Sequence, residues 1–103
     1  MELNVNTEQM KEYGQEIIKL TKNIDDEIIA IFAKINHLVN DGIWQGVSAQ
    51  KFYQRTVPNK EILLNFNKEL KKYGTHLINY SDKLTSVAKE YRWSYAKNIH
   101  WLW

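Results

Sequence analysis

Leu63, Phe66, Leu70, Tyr73, Leu77, Tyr80, Leu84, Val87 and Tyr91 follow one another at alternating steps of three and four residues without a miss. Only a helix sets such positions on one face, and an apolar stripe of that length needs a second helix to cover it. Upstream, Ala49, Phe52 and Tyr53 keep helical spacing. Pro58 has no amide donor and clashes with the preceding turn, so a kink or short break is expected between Thr56 and Asn59. The pattern predicts one long bent helix from Val47 to about Trp93.

The first half of the chain carries a matching run. Met10, Ile17, Ile24, Ile31 and Leu38 recur every seven residues, with Tyr13, Leu20, Ile28 and Ile35 between them. Asn6 or Thr7 suits the helix start, Glu8 and Glu12 suit its positive end, and Asn40-Asp41-Gly42 is a stop signal. A helix from Thr7 to Asn40 follows, about 50 Å long at 1.5 Å per residue.

Burial is worth roughly 1.5 to 3 kcal/mol per large apolar side chain, so the two stripes are expected to close on each other. The predicted fold class is all-α: a single antiparallel helix-turn-helix hairpin with its turn at 41–47 and an aromatic tail at 94–103. Charge agrees, since residues 1–46 carry a net −4 and residues 47–103 a net +6. Ile18, Ile29, Phe32, Leu64 and Ile78 fall outside the main stripes, and a second hairpin would cover them in a dimeric four-helix bundle. The alternative is a monomer whose bent third segment folds back over the first two.

Composition narrows the function classes. The chain has 103 residues, a formal charge of +2 and no cysteine, which excludes disulfides and thiolate metal sites. Lys68, Lys71, Lys72, Lys83, Lys89 and Arg92 make the second helix basic, but the acidic first helix partly neutralises that face, so nucleic acid is not an expected partner. Met1 to Thr7 lacks the basic and apolar regions of a signal peptide, and no apolar stretch is long enough to cross a bilayer. Any export would use an unconventional signal.

His37, His76 and His100 lie far apart without metal-ligand spacing, and Asp25-Asp26-Glu27 point about 100° apart on a helix rather than converging. There is no phosphate-cradling glycine loop, and Ser48, Ser81, Ser86 and Ser94 lack a base-bearing motif. No enzyme, metal or cofactor is expected.

The turn holds the remaining signal. Gly42 and Gly46 supply backbone freedom for the reversal, and Trp44 offers a flat apolar face with one N–H donor, suited at the least to plugging the bundle end. Trp44-Gln45-Gly46, followed by Ser48 and Phe52, resembles the W-x-G-x-A-x-x-x-F pattern of the WXG family of ESAT-like proteins, with serine for the usual alanine. Its place near the middle of a hundred-residue chain, between two heptad-patterned helices, extends the resemblance over nearly the whole chain.

The resemblance implies a hairpin that forms homo- or heterodimeric four-helix bundles in the bacterial cytoplasm and leaves folded, by the non-Sec type VII (ESX) route. Members are secreted, virulence-associated effectors or partners that escort larger toxin-like proteins. It also implies that Trp44 and Gly46 contribute to a recognition groove near the partner's export signal.

One element of the family pattern is missing. The usual signal is Y-x-x-x-D/E, and none of Tyr73, Tyr80, Tyr91 or Tyr95 has an acid four residues on; Tyr80-Ser81-Asp82 has the wrong spacing. Either a heterodimer partner carries the signal, or the tail with Tyr91, Trp93, Tyr95, Trp101 and Trp103 supplies another. Tyr91 and Trp93 therefore join Trp44 and Gly46 as candidate recognition residues. The tail's aromatic-basic character suits a partner groove, a membrane interface or the chain's own bundle. The rival function is a cytoplasmic structural or regulatory dimerisation module unconnected with secretion.

Overall fold

The computed structural model describes residues 6–100, with side-chain surroundings for 6–89. Helix α1 spans Thr7–Asn40, α2 Val47–Thr56 and α3 Pro58–His100, so the last helix runs past the expected end near Trp93. The described residues contain no strand. The Asn6 side chain accepts from the Gln9 amide at 3.0 Å, which fixes the start of α1. At its other end the Asp41 amide donates to the His37 carbonyl, and the His37 ring pairs with the Asp41 carboxylate.

The proline break is mild. Val57 keeps helical dihedrals, its amide donates to Tyr53 and its carbonyl accepts from Lys60. Pro58 occupies the first position of α3, where a missing amide costs no helical hydrogen bond. Segments α2 and α3 thus act as one long bent helix antiparallel to α1, an all-α hairpin. The register is set by Gly14 opposite Gly74 and Thr21 opposite Asn67.

The seam of that hairpin differs from the expected one. Gly14, Thr21 and Ile28 on α1, and Asn67, Gly74 and Ser81 on α3, are buried along the seam, each set spaced by seven, and Val39 is buried near the end of α1. The large residues expected to meet across the hairpin instead face outward: Phe66 is 64 %, Tyr73 61 % and Leu20 58 % exposed, and Tyr13, Ile24, Ile31, Leu63, Tyr80 and Val87 are exposed with them. Ile17, Leu70, Leu77 and Leu84 are half-buried at its edge.

Close approach of the backbones explains the shift. A Cβ on Gly14 would stand 2.7 Å from the Gly74 carbonyl oxygen, and a Cβ on Gly74 2.7 Å from that of Gly14. Bulky side chains at these positions would hold the helices apart. The buried polar groups of the seam are hydrogen-bonded except Asn67 Oδ1, which has no partner among the described residues. The Thr21 and Ser81 hydroxyls donate to the carbonyls of Ile18 and Ile78, each at 2.7 Å. Asn67 Nδ2 donates across the hairpin to the Thr21 carbonyl at 2.6 Å and to Asp25 Oδ1 at 2.7 Å. Among the described residues one ion pair joins the two helices, Lys11 with Asp82 at 3.4 Å and exposed to solvent. It sets a base of the acidic half against an acid of the basic half, so the opposite net charges of the halves are not what it expresses.

Candidate interaction surface

Residues one and four positions before a seam residue lie roughly 100° and 40° to one side of it. Because α1 and α3 are antiparallel, that displacement turns both sets to the same side of the hairpin. Tyr13, Ile17, Leu20, Ile24 and Ile31 of α1 therefore adjoin Phe66, Tyr73, Tyr80 and Val87 of α3, with Leu63, Leu70, Leu77 and Leu84 between. The stripes read from the sequence form one outward apolar face, about 36 Å long from Leu63 to Val87 at 1.5 Å per residue. A contiguous apolar surface of that extent marks an interaction site.

The turn lies beyond the Leu63 end of this face, about 24 Å further along the hairpin at 1.5 Å per residue. Gly42 has φ 79° and Gly46 φ 106°, both in the region that favours glycine. A Cβ on Gly46 would meet nothing within 4 Å, so the requirement there is conformational and not one of space. Gly46 opens α2, its carbonyl accepting from the Gln50 amide at 3.2 Å. The Trp44 amide donates to the Leu38 carbonyl at 2.8 Å, and the Gln45 side chain donates to the Gly42 carbonyl at 3.1 Å.

The Trp44 ring lies on Phe52, with centroids 5.3 Å apart and planes tilted by 46°. Trp44 is half-buried, so one part of the indole packs on α2 and the rest meets solvent beside exposed Ile43 and Val47. Ala49, fully buried, lets the start of α2 sit close against the end of α1, whereas Ser48 faces outward. The structure thus places Trp44 and Gly46 together at the turn. The side chains of Tyr91 and Trp93 lie outside the described residues.

Sequence reasoning missed Gly14, Asn67, Gly74 and Ser81, the residues that decide which way the apolar face points. Their signal is a second seven-residue repeat, Asn67-Gly74-Ser81-Ala88, running one position behind the large residues. Among the described residues no three potential ligands are grouped to hold a metal ion, and no helix is long and apolar enough to cross a membrane. A scan against models of protein families, a search of curated proteins and a search of solved structures each found no match to this chain.

Proposed function

We propose that this chain is a small type VII (ESX) secretion-associated binding protein, made and dimerised in the bacterial cytoplasm. It is exported as a folded helical dimer or acts as partner and escort of a larger secreted effector. The observation that carries this reading is a long apolar face with no covering element among the described residues, on a hairpin whose turn is built on Trp44-Gln45-Gly46. Such a face suits helix-on-helix recognition by a second copy, a related hairpin or a larger toxin-like protein. The type VII assignment rests on the resemblance of the turn and its placement between the two helices.

The test has two readouts. The mass of the purified chain by light scattering, with circular dichroism on the same peak, is expected to give a helical dimer, or a poorly folded chain rescued by a co-expressed partner. Export is then compared between a host with an intact ESX system and one without it; a chain retained equally in both would overturn the secretion reading. The missing acid four residues after each tyrosine favours a second reading, a cytoplasmic dimerisation module, which predicts a dimer in the first experiment and no export in the second.

A further inference from the structure

The side of the hairpin opposite the apolar face carries a groove of different character. Three depressions of about 340, 390 and 280 Å³ lie along it; Asp25 lines the first two and Ile29 the last two, so they form one channel between α1 and the α2–α3 helix. It extends from Gln15 to Asn36 on α1, about 32 Å at 1.5 Å per residue. Ile18, Ile29, Phe32 and Leu64 make it apolar inside; these are residues left over from the main stripes, and Ile29 is 49 % exposed.

Lysines from both helices border the channel: Lys19, Lys22 and Lys71 at one end, Lys68 in the middle and Lys60 toward the turn. Two acids line it, and one of them, Asp25, accepts a hydrogen bond from buried Asn67. At this place the first helix adds positive charge to the second. We propose that this groove docks an acidic amphipathic helix of a partner protein, independently of whatever covers the apolar face. An apolar stripe flanked by Asp or Glu matches the interior and the rims together. A nucleic-acid backbone would match only the rims, and would meet Glu61 and Asp25 within the channel.

The test uses the full chain and a fluorescein-labelled peptide of about 20 residues, roughly the groove's length as a helix, with leucines at three- and four-residue steps flanked by glutamates. Its controls are a scrambled peptide of the same composition and one with lysine for every glutamate. Fluorescence anisotropy is expected to show binding of the glutamate peptide alone, weakened by salt, and reduced at least about tenfold by Lys22→Glu/Lys71→Glu. Phe66→Glu, on the other face, should leave it unchanged. Equal binding of the controls, no binding, an unaffected Lys22→Glu/Lys71→Glu chain, or loss with Phe66→Glu would each overturn the proposal. Lys22→Gln/Lys71→Gln replaces the reversal if that chain unfolds. Light scattering on the same samples reads the apolar face separately, so failure of the proposed function and failure of the groove are distinguishable.

Discussion

Gly74 reverses a familiar rule. Replacing glycine by alanine inside a helix ordinarily gains about 1 kcal/mol from propensity. Here the added Cβ would stand 2.7 Å from the Gly14 carbonyl oxygen and 2.9 Å from Ile18 Cγ1, and a backbone atom cannot swing aside. Gly74→Ala is therefore expected to lose about 1 to 3 kcal/mol in urea unfolding, the cost of overpacking a close contact. A stabilised variant would show that the helices do not approach this closely. Asn67 acts by a different means: its amide ties α3 to the Thr21 carbonyl and to Asp25. Asn67→Ala should cost about 1 to 3 kcal/mol, the range for removing a buried hydrogen-bonding group, in the same unfolding experiment.

The turn separates backbone demands from recognition. Gly46→Ala places a methyl in open space but forces a non-glycine residue to φ 106°, so a loss of about 1 to 3 kcal/mol is expected from conformation alone. Trp44 packs on Phe52 with part of its ring still in solvent, so Trp44→Ala should keep helicity and cooperative unfolding while weakening partner capture or export. Complete loss of cooperative unfolding by circular dichroism would make Trp44 a core plug instead. The limits of α1 and the break before α3 were legible because caps and breakers act locally: Asn6, the Asn40-Asp41-Gly42 stop and Pro58 each act within a turn of their own position, whereas α3 runs on to His100 past the expected end near Trp93. The seam was not legible in the same way. Spacing identifies residues that share a face, but two faces 100° apart on one helix both obey a seven-residue repeat. Here the larger residues drew the assignment while the smaller ones set how near the backbones come.

For the whole molecule, the inward seam and the outward face carry opposite consequences. Ile28, Val39 and Ala49 are the apolar residues buried within the hairpin among those described, while Phe66 and Tyr73 meet water. If the face is covered by another hairpin, two carboxylates at its centre must lose their hydration on association, a cost large enough to abolish pairing. The same two carboxylates remain hydrated in the separated hairpin, where positions 66 and 73 are already exposed. Phe66→Glu/Tyr73→Glu is thus expected to weaken self-association at least about tenfold by light scattering over a dilution series. Helicity at the concentration where the parent chain is itself dissociated should match that of the parent. The stripe-to-stripe packing expected from the sequence gives a different result, because glutamates at the centre of an inward seam would unfold both the hairpin and any dimer built from it. A variant that stays helical as a monomer therefore assigns the large residues to association and the Gly14–Gly74 contact to the fold, while one that is unfolded at every concentration reverses that division.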